Sequence, residues 1–390
     1  MPFMKKHLVL LCFIVLAIAV QPNTATAVGL NLKNIKPLSP VQFLPLEEFK
    51  KNTRVIKDTP YGDDFLSFRV RMPTDWQGSV ELASKKEDAG ELSKRILGPL
   101  ARYQSPPKRH LRSFFTLEAL NLTYEIGARN WFINYVLTNG LTLEQVGVEN
   151  KRQVEAIYVE VRGDITYIVR VKVILNGPRM VVARYFVPQE LYEEEYVQQA
   201  QVIDSFTLTN REEVGVEKLD IYGFLDQSFF DYPVSWTLSA PHITSIDRMK
   251  AMLYHSTVKD KLDGQINVYL TNKMTDTTRA KEIALYRDKF QIENYALGGF
   301  IESPNIEYHK DMSFGTTQVY EMTPQVANMF DYELWVSVLE GAEYFYIISL
   351  LTPARQEEFY TWARNVEAYK LVVKGMRRND DNVDYFRFIQ

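Results

Sequence analysis

One local pattern occurs twice in this chain, and the repeat constrains its fold more than any other feature. Val70-Arg71-Met72-Pro73-Thr74-Asp75-Trp76 matches Phe230-Asp231-Tyr232-Pro233-Val234-Ser235-Trp236. Each reads as a short strand closed by a proline, which cannot continue a central ladder, with a tryptophan three residues on to fold back over a core. Further along, residues 165–175 alternate, with Tyr167, Val169, Val171, Val173 and Leu175 on one face. A turn at Asn176-Gly177, a second strand from Met180 to Val187 and then Pro188 follow; Asn-Gly suits a tight hairpin because both positions tolerate positive φ. In the other half, Leu334 to Leu339, Glu340-Gly341, Tyr344 to Leu351 and Pro353 keep that order. Pro73 and Pro233 are 160 residues apart, Pro188 and Pro353 165 apart. So small a drift points to a duplicated domain.

Helical periodicity fills in the rest of each half. Ala128, Trp131, Phe132, Tyr135 and Val136 lie on one helical face, stopped by Asn139-Gly140. In the second half Asp276 is the expected cap of a helix carrying Ala280, Ile283, Ala284 and Phe290, ending near Gly298-Gly299. A closing helix follows each hairpin: Tyr192, Tyr196 and Ile203 mark the first, Phe359, Trp362, Val366 and Tyr369 the second. Short terminal strands are expected at Ser205-Phe206-Thr207-Leu208 and Lys370-Leu371-Val372-Val373, although Gly375 is also a natural helix stop. The expected fold class is α+β, two tandem domains that each pack helices on an antiparallel sheet. The division is a signal peptide at 1–27, an extended leader at 28–54, domains at 55–209 and 222–375, a linker at 210–221 and a tail at 376–390.

The run Tyr167-Ile168-Val169-Arg170, Asn176-Gly177, Ala183-Arg184-Tyr185-Phe186-Val187-Pro188, closing on Ile203-Asp204-Ser205-Phe206, resembles the Mog1/PsbP-like α/β/α fold. The resemblance covers most of residues 60–209 and, more loosely, 222–375, where Tyr369-Lys370-Leu371 stands in place of the Ser-Phe strand. It implies a non-enzymatic protein that binds and organises protein partners, as family members do with a small GTPase or a photosystem assembly. No binding residue carries over, because the match lies in core and turn positions.

The N-terminus indicates where such a protein would work. Lys5 and Lys6, the apolar run Leu8 to Val20 and Ala25-Thr26-Ala27 form the three parts of a bacterial secretory signal, with cleavage expected near Ala27. The run falls short of the roughly 20 residues of a membrane span; an uncleaved anchor is the alternative. Cys12 is the only cysteine and lies inside that run, so the mature chain is expected to lack disulfides, and the location is periplasmic or secreted. Without Lys5 and Lys6 the charge count is 43 basic against 49 acidic residues. That mild acidity argues against nucleic acid as a partner, and no later segment is apolar enough to span a bilayer.

No catalytic, cofactor or metal constellation stands out. His110, His242, His255 and His309 are scattered, with no His-Glu-x-x-His. There is no Gly-x-Ser-x-Gly elbow, and Gly298-Gly299 lacks the lysine and spacing of a phosphate loop. Glu193-Glu194-Glu195 reads as a solvated helix face, since consecutive helical residues diverge. Arg162-Gly163-Asp164 reads as a hairpin turn. The 23 tyrosines and 22 phenylalanines suit either thick cores or protein contacts.

The expected function is therefore binding or scaffolding of envelope proteins, with a small-molecule binding protein and an envelope enzyme as rivals. The tail supplies the candidate docking residues, Tyr385, Phe386 and Phe388, on a segment where Tyr385, Arg387 and Ile389 alternate with Phe386 and Phe388. Such a strand would suit a sheet edge, either a partner's or the protein's own.

Overall fold

The alternating run at 165–175 lies at the centre of a large sheet in the computed structural model, which describes residues 35–80, 98–147, 150–211, 214–225, 227–241, 243, 245–256, 263–289, 295–325 and 329–379. The expected signal peptide, Cys12, His242, Phe290 and the tail residues Tyr385, Phe386 and Phe388 lie outside the described residues. The first half contains β1 (Lys36–Pro37), α1 (Leu46–Asn52), β2 (Thr53–Asp58), β3 (Phe68–Pro73), β4 (Gln77–Val80), β5 (Gly98–Gln104) and β6 (Phe114–Asn121). It continues with α2 (Ala128–Thr138), β7 (Thr142–Val146), β8 (Gln153–Arg162), β9 (Ile165–Asn176), β10 (Arg179–Pro188), α3 (Tyr192–Ser205) and β11 (Thr207–Leu208). The second half contains β12 (Leu219–Phe224), β13 (Ser228–Pro233), β14 (Thr237–Ser239), β15 (Arg248–His255), β16 (Gly264–Asn272) and α4 (Arg279–Lys289). After these come β17 (Tyr295–Glu302), β18 (Phe314–Pro324), β19 (Tyr332–Glu340), β20 (Tyr344–Pro353), α5 (Phe359–Gly375) and β21 (Arg377–Arg378).

The chain is a mixed α+β protein with the same strand order in its two large sheets. The first runs β1-β7-β8-β9-β10-β6-β5-β4 and the second β17-β18-β19-β20-β16-β15-β14. Apart from β1, the orders correspond strand for strand. Each half adds a three-stranded sheet of matching construction, β2-β3-β11 and β12-β13-β21. The closing helix lies between its large and small sheets: α3 packs on β10 and β3, α5 on β20 and β13.

Side-chain alternation explains the layers. Val169, Val171 and Val173 of β9 join Phe132 and Val136 of α2 in one core, while Val181, Ala183 and Tyr185 of β10 join Val202 and Ile203 of α3 in another. Both motif tryptophans are buried, and each backbone N–H donates back to its proline carbonyl, Trp76 to Pro73 at 3.2 Å and Trp236 to Pro233 at 3.0 Å. Trp76 packs against Tyr185 with ring centres 4.9 Å apart.

Several expectations are corrected. The leader is not merely extended: it holds β1, α1 and the start of β2, because Phe49 is buried in the first core. Residues 219–221, assigned to the linker, belong to β12. The β9–β10 turn is Gly177-Pro178, since Asn176 pairs with Arg179 in the ladder and its amide spans to the Phe65 and Asn210 carbonyls. Lys370 to Val373 are helical, and the terminal strand is Arg377–Arg378 beyond the Gly375 stop.

The helix after β16 also differs. Thr278, not Asp276, opens it, receiving the Glu282 N–H on its carbonyl and the Lys281 N–H on its hydroxyl. Ala280, Ile283 and Ala284 face solvent; among the helix side chains described, Glu282 and Tyr286 are buried. Glu282 accepts from Thr271 and Thr277 and pairs with Arg248, so a buried carboxylate anchors this helix where an apolar stripe was expected. Gly298-Gly299 lies within β17, not at a helix end.

Candidate functional site

Two places concentrate features beyond ordinary packing: the junction of the halves and the outer edge of the second sheet. At the junction, the loop after β6 brings Tyr124 and Glu125 to the second half. Glu125 is buried and holds the connecting segment, accepting from the backbone N–H groups of Val216 at 2.5 Å and Glu217 at 3.3 Å. Lys151 lies 3.6 Å from Glu125 and 3.0 Å from Glu367 of α5, and Lys370 closes the set 2.9 Å from Glu367. Burial works to raise the Glu367 carboxyl, but Lys370 and Lys151 outweigh it and hold the pKa below the usual range. Lys151 is the converse: burial opposes its charge, and Glu367 and Glu125 lift its pKa overall. Both signs are thus satisfied internally, and the cluster acts as a clamp between the halves.

Beside it, the Arg364 guanidinium stacks 3.5 Å from the centre of the Tyr124 ring and comes within 3.3 Å of His255 Nε2. His255 is buried, 3.8 Å from Asp263 and edge-on to Tyr124 at 6.1 Å. Burial, reinforced by Arg364, depresses its pKa against the pull of Asp263. The neutral ring therefore accepts from Arg364 at Nε2 and carries its proton on Nδ1. Nothing in this arrangement brings a nucleophile to a base.

The remaining residues singled out in the sequence are dispersed. His110 sits in a loop at φ 68°, and His309 pairs with Asp311 at 3.0 Å. Among the described residues, no group of three His, Cys, Asp or Glu is placed to hold a metal. Arg162-Gly163-Asp164 forms the β8–β9 turn, with Gly163 at φ 58° and Arg162 paired to Ile165. The Glu193–Glu195 run is not uniformly solvated: Glu195 is buried, accepting from Lys108 at 2.7 Å and Ser113 at 2.6 Å, whereas Tyr196 points outward. A recess of about 180 Å³ lies between Met312, Tyr344, Tyr346 and Arg378, below the roughly 300–1,000 Å³ of ligand pockets.

The sheet edge was not legible in the sequence. β17 is the outermost strand of the second large sheet, and among the described residues nothing pairs with its outer side. It pairs inward with β18 from Tyr295 opposite Pro324, with register shifts between Leu297 and Phe300 and again before Glu302. Gly298-Gly299 occupies the first irregularity; a Cβ on Gly298 would lie 3.0 Å from Glu321 Cβ and 3.2 Å from its carbonyl oxygen. Glycine allows that close approach.

Large apolar side chains are exposed on this strand, Leu297 at 36% and Phe300 at 58%, and Phe330 of the β18–β19 connection, 50% exposed, lies by its Tyr295 end. The Tyr295 hydroxyl ties Phe330 to the strand by donating to its carbonyl at 3.1 Å, and Phe300 sits edge-on to Tyr320 at 6.1 Å. An open strand with apolar side chains is a template for a further strand.

No protein-family model and no curated protein matches the chain. Among solved structures, the solution structure of cyanobacterial PsbP (CyanoP) from Synechocystis sp. PCC 6803 is similar to it at 13% identity, covering 44% of this chain and 98% of that one, with a TM-score of 0.30. The apo structure of TplEi, a T6SS immunity protein of Pseudomonas aeruginosa, is similar at 8% identity over 80% of this chain and 94% of that one, with a TM-score of 0.21.

Proposed function

We propose that the chain is an exported, non-catalytic protein, built as two tandem Mog1/PsbP-like domains, that binds or scaffolds other proteins of the cell envelope. The observation that carries this reading is the outer side of β17, which nothing among the described residues pairs, with Leu297 and Phe300 exposed on the strand. Strand addition at such an edge draws affinity from main-chain hydrogen bonds and specificity from alternate side chains.

The test compares the mature protein with a Leu297→Lys/Phe300→Lys variant, each used to capture proteins from envelope extracts. Substitutions at these exposed positions should leave the melting temperature within about a degree, consistent with roughly ±0.5 kcal/mol for surface changes. The reading expects a defined set of partners on the native protein and at least tenfold less of each on the variant. Equal recovery on both proteins would refute it.

A further inference from the structure

Arg184 lies in the middle of β10, and its side chain is only 4% exposed. Its Nη1 donates to Glu118 of β6, but Nε and Nη2 are shielded from solvent and have no hydrogen-bond partner among the described residues. Those two nitrogens share one side of the guanidinium and form the planar fork that a carboxylate takes in a two-point bond. Buried donors are ordinarily paired, so an unused fork in the interior asks for a reason. The repeated core does not give one. Four residues before the closing proline the first half has Arg184, level with Thr116, whereas the second has Ser349, level with Asn267. The arginine is particular to one half.

Its surroundings are cationic and aromatic. Arg102 of β5 stands level with Thr116, so Arg102, Thr116 and Arg184 point to one face of the sheet. The Thr116 hydroxyl is a second shielded group without a partner. One row along, Phe114 and Phe186 stack with ring centres 4.2 Å apart. The Arg102 and Arg162 guanidiniums lie 5.7 Å and 5.2 Å from the centre of the Phe114 ring, and Arg162 lies 4.3 Å from that of Phe186. Arg184 lies 4.8 Å from the centre of the Tyr135 ring. Burial raises the pKa of the Tyr135 and Tyr158 hydroxyls, and Arg184 and Arg162 both pull against it, so these two guanidiniums meet the same pair of rings.

We propose that Arg102, Thr116 and Arg184 form a binding site for a carboxylate on an apolar body, with the Arg184 fork as its two-point anchor. Glu118 answers Arg184, and Glu160 answers Arg162 at 2.5 Å, whereas Arg102 is exposed and makes no ion pair among the described residues. The remaining positive charge suits a singly charged carboxylate, because Glu118 and Glu160 repel the second charge of a phosphate. The Arg162 side chain is 45% exposed and lies over the stacked phenylalanines. When it swings aside, those rings receive the apolar body. The site is on the first sheet and β17 on the second, so it stands or falls separately from the binding reading above.

Nuclear magnetic resonance of the ¹⁵N-labelled mature chain tests the proposal by following the Arg184 Nε–H signal. The probes are benzoate, its neutral counterpart benzamide, the capped peptide acetyl-Phe-Glu-amide and inorganic phosphate. The expected result is a saturable shift with benzoate or the peptide and none with benzamide. Arg184→Lys keeps the charge but loses the fork, and should bind about tenfold more weakly. The exposed Arg102→Gln should bind roughly threefold more weakly, and it carries the test if Arg184→Lys fails to fold. A stronger response to benzoate assigns the site to free acids, and a stronger response to the peptide assigns it to a protein's carboxylate; either supports the proposal. No saturable shift with benzoate or the peptide would overturn it. So would unchanged affinity in both variants, or tighter binding of phosphate than of either carboxylate.

Discussion

Among the described residues, the β7 edge of the first large sheet is paired by a further strand and the matching β17 edge of the second is not, although the two sheets are otherwise ordered alike. β7 is paired by β1, and Gln201 of α3 anchors the same segment by donating to the Leu44 carbonyl at 2.9 Å. β17 has no such neighbour among the described residues and keeps Phe300 and Phe330 half exposed. The contrast teaches that a duplicated architecture repeats its core while leaving its margins free to diverge. Core positions are held by burial from several sides, whereas an edge answers only to what lies next to it.

The comparison breaks most readily at the shared core. Trp76→Ala and Trp236→Ala should each cost about 3–5 kcal/mol, as large-to-small changes at buried aromatic sites do. Calorimetry should show comparable losses for the two. A loss below about 1 kcal/mol at either position would mean that the halves are not built alike.

Next comes the clamp. Glu367→Ala removes the buried partner of Lys151 and Lys370. Breaking buried pairs costs about 3–5 kcal/mol, but the side chains of Lys151 and Lys370 are 43% and 38% exposed and can rehydrate. The expected loss is therefore about 1–3 kcal/mol, and the thermal transition should separate into two. A single unshifted transition would show that the halves do not depend on this contact.

Acidification probes the same junction without mutation. The His255 pKa is lowered on folding, so the unfolded chain binds the proton first. Stability should therefore fall as pH drops below about 6.5, and His255→Gln should flatten that part of the profile. Glu367, also depressed, contributes stability above about 4.5 that is lost as pH falls through its lower folded value. A flat profile between pH 7 and 4 would contradict both assignments.

The repeated Pro-x-x-Trp segments, the hairpins and the closing helices were legible because periodicity and turn residues report local structure directly. The charged interior was not. Glu195, Glu282 and Glu367 each look like surface carboxylates in sequence, and each is buried because partners from other elements meet it: Lys108 and Ser113, Arg248 and Thr271, and Lys151. Those pairings span up to 216 residues, between Lys151 and Glu367, and no local pattern encodes them. The same limit hid the β17 edge, since no local pattern tells which strand will lie beside Leu297 and Phe300. Gly298-Gly299 suggested a stop, whereas a sheet edge uses it as an irregularity.

Removing the first edge's cover sharpens the comparison from the other side. A chain lacking residues 35–44 loses the β1 pairing and the Ser39 and Gln201 contacts. At about 0.5–1.5 kcal/mol per hydrogen bond, the expected cost is about 1–3 kcal/mol. Light scattering should also show new self-association through β7. An unchanged monomer of full stability would mean that the cover is incidental.

The central claim, that the β17 edge is where other chains bind, is tested most directly by a photo-crosslinking residue placed at Phe300 in cells, with the same residue at Val161 as a control. Val161 is 67% exposed, in the first half, so it samples the envelope without lying on the proposed edge. The expected result is discrete adducts to another protein at position 300 and none at 161. Equal adduct patterns at the two positions, or no adducts to another protein at 300, would contradict it.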